Sequence, residues 1–272
     1  AGDVTPFGDV LLRYAKEVSP KKRGARWEML RLERFRLDPF ASINMRDISP
    51  SDFAAWRDRR LMQVAPGTVN REMTLLSAVL TVARREWGLI EVNPIADVRK
   101  PAKPAPRDRL VADAELQALA ISAGDDLSNT TARAFHAFLF AIETAMRAGE
   151  IVGLTWDRVD LDGRTCRLPM TKNGTARDVP LSTEAVRLLR ALPTADPVFG
   201  LSSSQLDALW RKLRDRAAVA DLTFHDSRHI AVTRLAQKLD VLDLARMVGH
   251  RDLKMLMVYY NASASEIAKR LD

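Results

Sequence analysis

Apolar residues recur at three- and four-residue steps along most of this 272-residue chain, the period of helices that bury one face. Phe7 to Val18 and Arg26 to Phe35 carry that period. Ser49-Pro50-Ser51-Asp52 then supplies an N-cap, a proline at the first helical position and an acid in the first turn, which starts a helix reaching about Leu61. From Thr68 to Trp87 the residues Val69, Met73, Leu76, Leu80 and Ala83 line one face, and Gly88 closes the pattern. Residues 1–92 are therefore predicted as a helical domain.

The period breaks between Asn93 and Arg107, where Pro94, Pro101, Pro104 and Pro106 stand among basic residues. Such a composition predicts an extended, exposed linker over residues 93–107. Beyond it, helices are predicted at Asp113–Ser122 and Thr131–Thr144. Two short strands follow, one containing Thr165, Leu168 and Met170 and the other Val179 and Leu181, with turn signals at Leu161-Asp162-Gly163-Arg164 and Asn173-Gly174. Helical spacing returns at Thr183–Leu192, Gln205–Ala218, Ser227–Leu239, Leu242–Val248, Leu253–Tyr260 and Ser265–Leu271. The fold class is mainly α, with residues 108–272 forming a mostly helical domain around a small antiparallel β-sheet.

Charge separates the two parts. Residues 1–107 hold 20 Lys+Arg against 13 Asp+Glu, and residues 108–272 hold 22 against 22, so the whole net charge of +7 sits in the first part. That asymmetry is the footprint of a module that meets a polyanion, nucleic acid above all, although a solvated basic face would read the same way. The single Cys166 allows no internal disulfide and matches no zinc-binding spacing. The longest apolar run, Ala134 to Ile142, falls far short of the ~20 residues that span a bilayer, so no membrane partner is expected. Ala1-Gly2-Asp3 has no signal-peptide character and reads as a trimmed start. The expected location is the cytoplasm.

Four segments of the second part carry chemistry, in this order: Thr144-Ala-Met-Arg147-Ala-Gly-Glu150, Thr171-Lys172-Asn173-Gly174, His225-Asp-Ser-Arg228-His229, and Gly249-His250 followed by Tyr259. The ordered set resembles the tyrosine recombinase (phage integrase) family of site-specific DNA recombinases. The resemblance covers essentially all of residues 108–272, and the basic helical first part is similar to the family's core-binding domain. It implies the DNA breaking-rejoining fold and cleavage through a 3′-phosphotyrosine, with strand exchange through a four-way junction.

The residue chemistry is consistent with such a reaction. A phosphodiester's negative charge must be held while a nucleophile approaches, and these segments contain no carboxylate cluster suited to metals, so cationic side chains must supply the charge. Arg147 and Arg228 have planar forks that match two phosphate oxygens, and by resemblance they are the phosphate clamps. Glu150, three residues after Arg147, can orient it. By resemblance His225 is the phosphate-side donor or proton-transfer residue, Lys172 the general acid for the departing 5′ oxygen, and His250 a phosphate ligand. His229 raises a metal pair with His225, but no third ligand follows at a metal spacing, and its position in the family is usually structural. Tyr14 lies in the first part, which leaves Tyr259 or Tyr260 as nucleophile. The family spacing from His250 selects Tyr259.

No cofactor is expected, since the tyrosyl ester conserves the phosphodiester energy and no ATP is needed, and no metal, since the segments hold neither a carboxylate cluster nor a zinc-binding histidine spacing. The partners implied are a double-stranded recombination site and a homo-tetramer on it, together with DNA-bending or directionality factors. Ser265–Leu271 is the implied connector between subunits, and residues 98–107 are expected to cross the DNA backbone. Departures from the family pattern are Ala145, where glycine is common, Ser227, where leucine is usual, and Leu256, where threonine is frequent. Two alternatives remain at this point: a type IB topoisomerase-like relaxing enzyme, and a catalytically idle DNA-binding regulator. The complete set of reacting groups argues against the second.

Overall fold

A computed structural model describes residues 4–22, 24–102, 105, 107–169, 176–249, 252–260, 265 and 268. The chain divides into two compact units, Ala1–Pro106 and Arg107–Asp272. In the first, helices α1 (Phe7–Glu17), α2 (Ala25–Phe35), α3 (Pro50–Leu61) and α4 (Pro66–Arg85) enclose an apolar core of Phe7, Leu11, Tyr14, Phe35, Phe40, Phe53, Trp56, Met73 and Leu76. Ser49 is the N-cap of α3 as foreseen, and Asp52 reaches back to accept from the Ser49 backbone N–H at 2.9 Å, which closes a reciprocal cap.

Arg57, Arg59 and Arg60 form a short basic run whose charges are paired rather than free. Arg60 is buried and offers its fork to the fully buried Glu72, at 2.8 and 2.9 Å, while Arg59 pairs with Asp38 and Arg57 with Asp58. The proline-rich stretch also departs from expectation at its start. Residues Pro94–Asp97 form a helical turn, Ile95 and Val98 enter the first core, and Asn93 donates to the Ser77 carbonyl at 3.1 Å. The apolar side chains of Ile95 and Val98 outweigh the extended tendency of the prolines around them.

In the second unit α5 (Asp113–Ala123) and α6 (Thr130–Thr144) are followed by α7 (Ala148–Val152). Periodicity gave no sign of α7, because five residues are too few to display a period. Strands β1 (Val159–Asp160), β2 (Thr165–Leu168) and β3 (Arg177–Pro180) form an antiparallel sheet in the order β1-β2-β3, with Cys166 opposite Val179 and Leu168 opposite Arg177. Then come α8 (Thr183–Ala191), α9 (Ser203–Arg216), α10 (Asp226–Leu235), α11 (Val241–Val248) and α12 (Lys254–Met257).

Helix α6 is the spine of this unit and packs against α5, α8, α9 and α10. It is buried nearly all round, from Ala132 to Thr144, as a central helix must be. The expected terminal helix Ser265–Leu271 lies outside the described residues except for Ser265 and Ala268. Among the described residues no helix is long and apolar enough to cross a membrane.

Candidate active site

Three stretches of the second unit supply the site: the turn from α6 to α7, strand β3, and the chain from α10 to Tyr260. Helix α6 ends at Ala145, which is fully buried in a left-handed conformation at φ 55°. This is the position where the family favours glycine, and the backbone geometry explains that preference. The Ala145 carbonyl accepts a hydrogen bond from Arg228 Nη1, and Arg228 Nη2 donates to the Val248 carbonyl at 2.7 Å. Arg228 is 7% exposed. Burial lowers its pKa to about 10, aided by the positive charges of Arg147 and Arg177 and opposed by Glu150 and Tyr259. It stays protonated at neutral pH.

Arg147 is the N-cap of α7. Its backbone N–H donates to Glu150 Oε2 at 2.9 Å and its Nη1 to Glu150 Oε1 at 3.0 Å. Glu150 also receives the fork of Arg177, Nη1 to Oε1 at 3.0 Å and Nη2 to Oε2 at 2.8 Å. Burial would raise the Glu150 pKa, but the hydrogen bonds from Arg177 and Arg147 outweigh it and hold the carboxyl below its usual range. Arg177 Nε donates to the Met247 carbonyl at 3.0 Å. A continuous set of contacts thus links Arg147, Glu150, Arg177 and the end of α11, where the next carbonyl binds Arg228. Gly249 ends α11 at φ 69°, and a Cβ there would stand 3.1 Å from Arg177 Cδ and Nη1, so glycine both turns the chain and admits the guanidinium.

Helix α10 carries Arg228 and is anchored at its start. Arg107, counted above in the basic linker, donates from Nε and Nη2 to the Asp226 carboxylate at 2.9 Å each and from Nη1 to Asp221 at 3.0 Å. Ser227 closes the same turn by donating from Oγ to the Phe224 carbonyl at 2.6 Å. After α12 the backbone continues in a tight turn, and the two candidate tyrosines separate. The Tyr259 hydroxyl lies 2.7 Å from His229 Nδ1, whereas the Tyr260 hydroxyl donates to the Leu239 carbonyl at 2.8 Å. Burial pushes the Tyr259 phenol above its usual pKa and the charge of Arg228 pulls it back.

Of the sequence-predicted residues, Arg147 and Arg228 are joined through Glu150, Arg177 and the end of α11, and Tyr259 lies close enough for the charge of Arg228 to act on its phenol. His225 is the exposed N-cap residue of α10, and its carbonyl accepts from the Arg228 backbone N–H at 3.1 Å. Lys172 and His250 lie outside the described residues. Among the described residues no group of three or more His, Cys, Asp or Glu could hold a metal.

Sequence reasoning missed two contributors. Arg177 had a signal, since strand alternation puts it on the same face as the buried Val179, an unusual place for a charge unless it is paired. His229 reads in the sequence as a metal ligand or a structural residue, and no local pattern links it to a tyrosine thirty positions on. Chemically, two fixed guanidinium groups can hold phosphate charge, and a phenol beside a histidine lies within the field of one of them. Such equipment suits phosphoryl transfer to tyrosine.

The comparisons with known proteins define the class. The phage integrase family model matches residues 109–266, and the chain belongs to that family of tyrosine-type site-specific DNA recombinases. A putative integrase/recombinase of Haemophilus influenzae is 41% identical, over 98% of this chain and 90% of the relative. The shufflon-specific DNA recombinase of Escherichia coli is 36% identical, over 96% and 70%. Two solved structures share the fold. One is the Tn1549 transposon integrase in complex with a circular intermediate DNA, with TM-score 0.77, 17% identity and 99% of each chain covered. The other is a lambda integrase tetramer bound to a Holliday junction, with TM-score 0.78, 18% identity, and 95% of this chain and 78% of that one covered. Neither the topoisomerase-like nor the idle-regulator reading is favoured by these relatives.

Proposed function

We propose that this recombinase cuts one strand of a double-stranded recombination site by attack of Tyr259 on the scissile phosphorus, with Arg147 and Arg228 holding the non-bridging oxygens. A 3′-phosphotyrosine and a free 5′-hydroxyl result, and the hydroxyl of a partner strand then attacks the ester. His225 and His250 complete the phosphate contacts and Lys172 protonates the leaving 5′ oxygen. These last assignments rest on the resemblance of their motifs. Glu150 and Arg177 fix Arg147 and the end of α11, so that guanidinium positions are set before DNA arrives.

The observation that carries the reading is the divergence of the two tyrosines. Tyr260 is engaged by a backbone carbonyl, whereas Tyr259 sits beside His229 and within the field of Arg228. Exchange between two duplexes needs four such sites, so the working form is a tetramer on DNA, the state in which lambda integrase was solved on a Holliday junction. The transposon and phage integrases among the relatives support a mobile-element role in a bacterial cytoplasm. The basic first unit binds the duplex, so affinity falls steeply with salt.

The test is to incubate the protein in EDTA with nicked duplexes, isolate protein–DNA adducts that survive SDS, and map the modified residue by mass spectrometry. An adduct on Tyr259 is expected. An adduct on Tyr260, or none despite tight binding, overturns the assignment.

A further inference from the structure

His229, hydrogen-bonded to Tyr259, has been given no role of its own in the reaction so far. At 2.7 Å between the phenol oxygen and Nδ1, it lies within the range over which a side chain can take a proton directly. The two rings are inclined by 50° with centroids 5.6 Å apart, so the imidazole meets the phenol through its nitrogen and does not stack on it. His229 is also held firmly. It follows Arg228 on α10, whose first turn is tied down by Arg107 and Asp226, and its carbonyl accepts from Thr233 Oγ1 at 2.9 Å. Burial works against ionisation of the Tyr259 phenol. A phenol in that position gains from a neighbouring base.

We infer that His229 positions the Tyr259 hydroxyl and accepts its proton as the phenol oxygen attacks phosphorus. The inference rests on Tyr259 being the nucleophile. The step uses the tautomer of His229 that carries the ring proton on Nε2, so that Nδ1 is the acceptor. The tyrosine O–P bond forms and the P–O5′ bond breaks; the phenol proton moves to Nδ1, and the 5′ oxygen takes a separate proton from the general acid. In the rejoining step the incoming 5′-hydroxyl returns its proton to that acid. The departing phenolate recovers its own from His229, so the cycle is balanced in protons.

The experiment measures single-turnover adduct formation on a saturating nicked duplex for the native chain, His229→Phe and His229→Asn. Asparagine keeps a polar group without basicity, and serves if the phenylalanine variant fails to fold. Each chain is also made with 3,5-difluorotyrosine at position 259, whose phenol ionises more readily, and assayed on DNA with sulfur in place of the bridging 5′ oxygen. The expected loss for both variants is about 10²–10⁴-fold. It shrinks at least roughly tenfold with difluorotyrosine, as a missing base requires, and is untouched by the sulfur leaving group, which relieves only a defect in the general acid. A variant rate within about threefold of native, or a defect that difluorotyrosine leaves unchanged, overturns the assignment to His229. If the native chain forms no adduct on Tyr259, the nucleophile assignment itself falls.

Discussion

Replacing Arg177 by methionine removes the fork that holds Glu150 and the donor to the Met247 carbonyl, while keeping most of the side chain's volume. Both partners are buried, at 7% and 9% side-chain exposure for Arg177 and Glu150, so solvent does little to screen the pair. Breaking a buried pair by deleting one partner costs about 3–5 kcal/mol, because the other charge is left desolvated. Here Arg147 still reaches Glu150 at 3.0 Å, which places the expected loss near the lower end, about 3 kcal/mol. For a unit of this size that is a fall in Tm of roughly 6–12 °C. Glu150→Gln removes the same charge from the other side, and the double variant should be less unstable than the sum of the singles by about 1.5–3 kcal/mol. Thermal and urea unfolding of the four chains, followed through Trp156 and Trp210 of the second unit, measures that coupling. The sign with pH is also defined. The native Glu150 pKa is depressed, so the pair stabilises the fold above the unfolded carboxylate value of about 4.3 and loses that contribution as pH falls through the folded value. The gap between native and Arg177→Met therefore narrows in acid. Additivity within about 0.5 kcal/mol, or a gap that widens in acid, would mean that Arg177 and Glu150 do not stabilise the fold as a pair.

His136 is buried in α6 with Nε2 2.7 Å from the Leu188 carbonyl, and burial lowers its pKa. The unfolded chain then binds more protons, so stability is intact above about pH 6.5 and is lost as pH falls through the folded value. Urea midpoints between pH 7.5 and about 5.5 should fall for the native chain and flatten for His136→Gln over that window. At Ala145, relief of a left-handed backbone worth about 1 kcal/mol offsets a buried methyl worth ~0.8 kcal/mol, so Ala145→Gly should be near neutral in unfolding assays. Ala145→Val, branched at positive φ in a site with 0% exposure, should cost more than about 2 kcal/mol. Burial pushes the Cys166 thiol up to about 12, so a thiol reagent at pH 8 should label it only after denaturation. Tyr260→Phe should retain adduct formation and lose only the Leu239 contact, about 1 kcal/mol in unfolding experiments, whereas Tyr259→Phe abolishes the adduct.

Local rules carried the secondary structure a long way, because α4, α6, α8 and α9 each have enough residues to show a helical period and clear start signals. The ordered motifs around Arg147, Arg228 and Tyr259 were legible for a different reason: phosphoryl transfer needs particular functional groups at particular spacings, and those survive as a linear pattern. Short elements were not legible. Helix α7 is one turn, and residues 93–98 looked like linker until Ile95 and Val98 found a core to enter. Tertiary structure alone decided which charges are free and which are held. Arg60 belongs to Glu72, Arg107 to Asp226 and Arg177 to Glu150, although the sequence presents all three arginines as members of basic or strand segments. It also decided which tyrosine meets His229, a pairing across thirty residues. A sequence specifies the local periods because neighbouring residues share one backbone geometry. Partners distant in the chain are chosen by burial, since a charge or phenol removed from water takes whatever compensating group the packed elements bring within about 3 Å.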